Sequence, residues 1–220
     1  VVCIEHLLSA LYGLGVREAI IELDGGNEVP ILDGDSFSFI KRIYFNLRFE
    51  SMLVDTFCFN KSVTVYDEED NFRYIKLSPT QQKNLEIDAI VSYENSNIKL
   101  QKLVFNFENK EKYIEEISHA KTSYPLMILS DSDIKDLKSK LLGVKVGGRG
   151  KNMNVYRKKI TKGSYYKDEV VRHKILDFIG DLSTTGIVFS NVKIELYKPG
   201  HNLNIKFSKT IVDLIKLHSK

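Results

Sequence analysis

The stretch His173-Lys174-Ile175-Leu176-Asp177-Phe178-Ile179-Gly180-Asp181 decides how the rest of the chain is read. Its spacing predicts a helix. His173 and Asp177 then lie four residues apart, with the second side chain turned about 40° from the first and lifted roughly 6 Å along the axis. From there an imidazole nitrogen and a carboxylate oxygen can converge on one metal ion. Zinc is the first candidate, because it takes nitrogen and oxygen ligands together. Asp181 lies a further turn on, roughly 12 Å from His173, where it suits a supporting role outside the ligand set. Ile175, Leu176, Phe178 and Ile179 supply an apolar surface that would pack the helix against a core. The competing reading is an ordinary surface ion pair at i, i+4, worth about 0.2–0.5 kcal/mol.

The 220 residues are 43% hydrophobic, enough to build a core of one large or two small domains. The 32 basic residues barely exceed the 29 acidic ones, and a net charge of +3 argues against a nucleic-acid partner. Two cysteines, Cys3 and Cys58, are too few for a disulfide framework and point to a reduced, cytoplasmic setting. No apolar run is long enough for an integral membrane segment.

Val1-Val2-Cys3-Ile4 reads as an interior strand, with Glu5-His6 opening a helix directly after it. The sequence is therefore expected to start part-way through a fold. Leu7, Leu8, Leu11 and Leu14 form an apolar stripe at helical spacing, and Gly13 and Gly15 stop the helix. Ala19 to Leu23 reads as a short buried strand, Val29 to Leu32 as an extended segment, and Ser36 to Phe49 as a helix with its connection. From Phe57 the pattern alternates: Ser62 to Tyr66 and Phe72 to Leu77 form a hairpin around an acidic turn, and Leu85 to Tyr93 and Lys99 to Phe107 add two strands. Helices are expected over Lys110 to Ala120, Asp131 to Leu142, Asp168 to Leu182 and Leu203 to Leu217, with a strand at Val192 to Tyr197. Gly147-Gly148-Arg149-Gly150-Lys151 could cradle phosphate but lacks the Walker spacing, so a turn is the better reading.

The His173–Asp177 pair lacks a third ligand. His6 would complete a His2Asp site with an open position for water, the pattern of a catalytic zinc. Hydrolysis then needs a base, and Glu5 beside His6 is the candidate. His201 after Gly200 could act as the acid, with Asp181 holding its proton. The Thr122 hydroxyl could stabilise an oxyanion. Simpler roles stay open: Glu5 as an acid favoured by a helix N-terminus, Asp181 as a surface carboxylate, Thr122 in a local turn.

Three blocks carry a resemblance. They are Ile4-Glu5-His6-Leu7-Leu8-Ser9-Ala10-Leu11 with Ala19-Ile20-Ile21-Glu22 and Glu28-Val29-Pro30-Ile31-Leu32-Asp33-Gly34; Val171 to Leu182; and Tyr197-Lys198-Pro199-Gly200-His201-Asn202-Leu203-Asn204. In this order they resemble the bacterial UDP-3-O-acyl-N-acetylglucosamine deacetylases, with weaker similarity between them around Ile117 to Thr122 and Val146 to Gly148. The resemblance implies a zinc amidase of lipid A biosynthesis that removes acetate from the acylated UDP-glucosamine. It implies an α+β fold of two similar domains, each a sheet packed against two helices. Residues 1–52 would be the later part of an incomplete first domain. Residues 53–220 would be the second, with the acyl-chain tunnel built between Tyr124 and Val155. It assigns His6, His173 and Asp177 as zinc ligands, Glu5 as base, His201 as acid with Asp181 as its partner, and Thr122 as the oxyanion donor. Lys174 and Tyr93 would contact substrate in a monomer. Family members carry a further N-terminal stretch before the Glu-His motif, and Arg149 and Lys151 depart from the family pattern. A truncated homologue that binds zinc or UDP-sugar without turnover, and a structural zinc site completed by Cys3, are the alternatives.

Overall fold

A computed structural model of the chain describes residues 1–48, 50, 57–93, 100–125, 153–156, 159–160 and 164–218. The helix expected over 131–142, the glycine-rich loop with Arg149 and Lys151, most of the tunnel segment and the boundary between 52 and 53 lie outside the described residues.

The elements run α1 (Glu5–Gly13), α2 (Phe37–Ile43), β1 (Val63–Tyr66), β2 (Tyr74–Pro79), β3 (Leu85–Val91) and β4 (Gln101–Phe107). They continue with α3 (Lys110–Tyr113), β5 (Ser123–Pro125), β6 (Met153–Tyr156), β7 (Lys159–Ile160), α4 (Glu169–Ser183), β8 (Val192–Tyr197) and α5 (His201–His218). The fold is mixed α+β. Its main sheet has the order β1-β2-β8-β3-β4, antiparallel except for the parallel β3–β8 pair, and β5-β6-β7 form a small second sheet.

Strict alternation builds the main sheet. Leu85, Ile87, Ala89 and Val91 of β3 line up across the ladder with Val192, Ile194 and Leu196 of β8 and with Ile75 and Leu77 of β2, all buried on one face. The opposite face carries cross-strand ion pairs: Lys76–Glu195 at 3.2 Å, and Lys193 with both Glu86 and Asp88 at 3.1 Å. Each is half-exposed and contributes about 0.2–1 kcal/mol at most.

Helix α4 covers β3 and β4 on the apolar face, α5 covers β1 and β2, and α1 packs on the far side of α4. Central placement explains why Val170, Val171, Ile175, Leu176, Phe178, Ile179 and Leu182 of α4 are all buried although they surround the helix axis. Four polar residues of α4, Glu169, His173, Asp177 and Asp181, share this burial, with His173 3% exposed and Asp177 2% exposed. That excludes the surface ion-pair reading.

Helix α1 corrects the sequence pattern. Its most buried positions include His6, Ser9, Ala10 and Gly13, whereas Leu7, Leu8 and Leu11 stay partly exposed. The reason is close approach, which small side chains permit and leucines do not. A Cβ on Gly180 of α4 would lie 2.0 Å from the Glu5 carbonyl oxygen, and one on Gly13 would lie 2.2 Å from the Tyr113 ring. The Tyr113 hydroxyl is shared with Ser9 Oγ at 2.7 Å and Ser36 Oγ at 2.8 Å, so these buried polar groups satisfy one another.

Ala19–Leu23 is also corrected. The segment is not a strand, and Ile20 is 93% exposed. Among the described residues no neighbouring strand offers it a ladder, so alternation alone cannot bury it. The pairing seen near the start is an isolated parallel bridge between Val2 and Glu28. Helix α5 begins at His201 rather than Leu203. Gly200 supplies the carbonyl that accepts from the Asn204 N–H at 2.8 Å, which draws His201 into the first turn.

Candidate metal centre

The 15-residue α4 carries four of its six ionisable groups at a constant step of four: Glu169, His173, Asp177 and Asp181. One ridge of the helix is therefore polar and buried. Helix α1 crosses this ridge at Gly180, which sets Glu5 and His6 against it.

His6 Nε2 lies 3.5 Å from Asp177 Oδ1, and His173 Nε2 lies 3.1 Å from the same oxygen. The two imidazoles meet edge to face with centroids 5.0 Å apart. Four ligands held tetrahedrally at about 2 Å from zinc stand about 3.3 Å from one another, so these separations match a shared cation. The potential ligand atoms of the three residues all lie within 4.8 Å of one another.

The hydrogen bonds strengthen the fit. His173 Nδ1 donates to the Ala120 carbonyl at 2.9 Å, so in the neutral ring the lone pair is on Nε2. That lone pair faces Asp177 Oδ1, a buried oxygen that accepts no hydrogen bond. Two acceptors facing each other in a dry interior repel unless a cation lies between them. Lys174 Nζ occupies only the other oxygen, Oδ2, at 2.9 Å. Burial would raise the Asp177 carboxyl, but the ammonium of Lys174 beside it works the other way, and the group stays well below the ordinary carboxylate range. Lys174 mirrors this: burial works against its charge, and Asp177, Tyr93 and Asp181 raise it above the usual lysine value.

A second constellation borders the first. His201 Nδ1 donates to Asp181 Oδ2 at 2.9 Å, and His201 Nε2 points back to Asp177 Oδ2 at 3.7 Å. The Asp181 hydrogen bond is the main cause that lifts His201 to about 9. Burial pushes the Asp181 carboxyl up, and its bonds to His201 and Asn204 act in the opposite direction. The His201 side chain is 45% exposed, so it faces both the buried pair and the exterior. Glu5, Asp177 and His201 form a further group with ligand atoms within 4.8 Å. The turn that aims His201 is strained: Lys198 has φ +51°, held by its N–H on the Ile90 carbonyl at 2.8 Å and by Arg73 Nε on its own carbonyl at 3.0 Å.

Thr122 and Tyr93 sit less directly. Thr122 follows Ala120 by two residues, with its N–H on the Gly34 carbonyl at 2.7 Å. Tyr93, just past β3, packs on the core near enough to Lys174 to favour its charge. Sequence reasoning missed Glu169, the Ala120 carbonyl, Gly180 and Asn204, whose Nδ2 donates to Asp181 Oδ2 at 2.8 Å. A signal for Glu169 was present: one more step of four back from His173. The Ala120 carbonyl has no signal in side-chain identity.

An α+β scaffold that buries two imidazoles and a carboxylate around one point, with a His–Asp pair beside them, defines a class of protein whose buried side chains could hold a metal ion. Over residues 1–213 the sequence matches the family described as UDP-3-O-acyl N-acetylglycosamine deacetylase, and the chain belongs to that family. Relatives named UDP-3-O-acyl-N-acetylglucosamine deacetylase include that of Nautilia profundicola, 35% identical over 214 residues, covering 95% of this chain and 68% of the relative. That of Aquifex aeolicus is 34% identical over 219 residues, covering 97% and 70%. That of Campylobacter fetus is 33% identical over 215 residues, covering 95% and 67%.

Proposed function

We propose that the chain removes acetate from the 2-acetamido group of UDP-3-O-acyl-N-acetylglucosamine, a step of lipid A biosynthesis, using zinc held by His6, His173 and Asp177. The observation that carries this is the orphaned Asp177 Oδ1, faced by two imidazole Nε2 atoms at 3.1 and 3.5 Å. When bound, the ion supplies Lewis acidity toward the amide carbonyl and makes water more acidic. The remaining work falls to side chains. Glu5 takes the proton of the attacking water as its oxygen bonds the carbonyl carbon. Thr122 donates to the oxyanion that results. The C–N bond then breaks as His201 passes its proton to the leaving nitrogen, giving acetate and a free amine. Asp181 keeps that proton on His201, and Lys174 and Tyr93 line the substrate side.

A cleft of about 750 Å³ opens beside His201, lined by Arg73, Gly200, Asn202 and Lys206 among others, and this room supports a substrate as large as a nucleotide sugar. Among the described residues no helix is long and apolar enough to cross a membrane. The free thiols Cys3 and Cys58 support a cytoplasmic setting. The change from helices and turns to alternating strands near Phe57 supports two domains, 1–52 and 53–220.

The test is acetate release from the UDP-linked substrate. Activity is expected to vanish with a chelator and return with zinc. Stabilisation by UDP with no acetate released would favour a binding protein without turnover.

The pH profile gives a second expectation. His201 acts while protonated, so its contribution persists up to about 9 and is lost above. Replacing Asp181 by asparagine removes the carboxylate that raises it, and the alkaline limb moves toward the ordinary value near 6.5. At pH 8 the protonated fraction then falls from about 0.9 toward 0.03, a loss of up to about 30-fold in kcat, with little change at pH 6. An alkaline limb that stays near 9 in Asp181→Asn would remove His201 from the acid role.

A further inference from the structure

We propose that Glu169 is a positioning residue that sets the tautomer of His173 through the single peptide unit between Ala120 and Lys121. The inference rests on the reading of His173 as a metal ligand.

Glu169 is 2% exposed at the start of α4. Among its contacts are three backbone N–H groups: Lys121 on Oε1 at 2.7 Å, and Tyr165 and Tyr166 on Oε2 at 2.9 and 2.6 Å. Holding a helix N-terminus needs none of these, since they all lie outside the helix. The Lys121 contact gives the carboxylate its leverage. The Lys121 N–H and the Ala120 carbonyl belong to one planar amide, and that carbonyl accepts from His173 Nδ1 at 2.9 Å. Glu169 and His173, one turn apart, therefore grip opposite ends of the same rigid plane.

Two consequences follow. Rotation of the plane is blocked at the N–H end, so the carbonyl stays aimed at Nδ1 and the lone pair of Nε2 stays aimed at Asp177. A charged acceptor on the N–H also polarises the amide and strengthens its oxygen as an acceptor. The carboxylate thus acts on the imidazole through an intervening peptide, where many metal sites place it in direct contact. The same carboxylate anchors Tyr165, whose ring stacks on His119 at 4.3 Å, and His119 stacks on Phe37 at 3.8 Å. With the Thr122 N–H on Gly34, this fixes residues 119–122 from both flanks.

The experiment compares wild type with Glu169→Gln, which keeps the shape and loses the charge. Long-range nitrogen–proton spectra of ¹⁵N-histidine-labelled, metal-free protein report the His173 tautomer. Chelator competition reports zinc affinity. Wild type is expected to show one Nδ1–H form. The variant is expected to show a mixture of tautomers, about a tenfold loss of zinc affinity and a similar fall in kcat with KM within about twofold. A folded variant with the wild-type tautomer and zinc affinity overturns the proposal, whatever its melting temperature. If Glu169→Gln does not fold, Glu169→Asp decides. It keeps the charge but ends about 1.5 Å short of the Lys121 N–H, and wild-type zinc affinity there overturns the proposal equally. A shifted tautomer in proteins that never release acetate would leave the positioning role intact and sink the substrate assignment alone.

Discussion

Replacing Glu5 by glutamine is expected to lower kcat by about 10²- to 10⁴-fold while zinc affinity stays at the wild-type level. The two halves of this expectation come from different distances. Glu5 Oε1 is 3.9 Å from His6 Nε2, near the metal group but beyond the tight His6–His173–Asp177 cluster. It also belongs to the group with Asp177 and His201, so it stands where a water proton could pass between base and acid. Glutamine has nearly the same shape, so packing at the start of α1 is kept and only the proton acceptor is lost. Chelator competition alongside steady-state kinetics checks both halves. Should zinc affinity drop with the rate, Glu5 is a ligand and the base must be sought elsewhere.

The second large effect is expected from Gly180→Ala, a change that touches no polar group. In an isolated helix alanine would be favoured over glycine by about 1 kcal/mol. Here the new Cβ would meet the Glu5 carbonyl oxygen at 2.0 Å, its carbon at 2.8 Å and its Cα at 3.0 Å. All three atoms are backbone, so no side chain can swing aside. Overpacking of this kind costs about 1–3 kcal/mol or more and outweighs the gain in propensity. Helix α1 must move off α4, taking Glu5 and His6 with it. A shift near 1 Å at reacting groups costs about 100-fold in rate. The variant should melt roughly 5 °C lower and hold zinc more weakly. Unchanged melting and zinc retention would mean that α1 does not press on α4 at this point.

These two expectations divide what the sequence reveals from what it hides. The i, i+4 spacing of His173 and Asp177 and the alternation of Val192–Tyr197 are local patterns, readable without neighbours. The strands from Val63 to Phe107 were legible for the same reason. Contacts made across the fold were not. The leucines of α1 suggest the buried face, yet Ser9 and Gly13 turn inward against Tyr113, and the crossing with α4 falls on Gly180 and the Glu5 backbone. Ala19–Leu23 has the composition of a strand and, among the described residues, no ladder to join. The Ala120 carbonyl does its work through backbone, which residue identity does not encode. Residues 126–152 lie outside the described residues, so the reading of the tunnel segment rests on the family resemblance.

The proposed ligands come from α1 and α4, with the whole main sheet apart from β8 laid down between them. A chain emerging from the ribosome therefore makes His6 first and must wait for His173 and Asp177 before any ion can be gripped from both sides. Capture of the cation becomes a late event in biogenesis, dependent on long-range closure that is intrinsically slow. Until α4 is made, the nascent chain holds one of the three proposed ligands, His6, and the timing of metal acquisition follows from the order in which its helices are made.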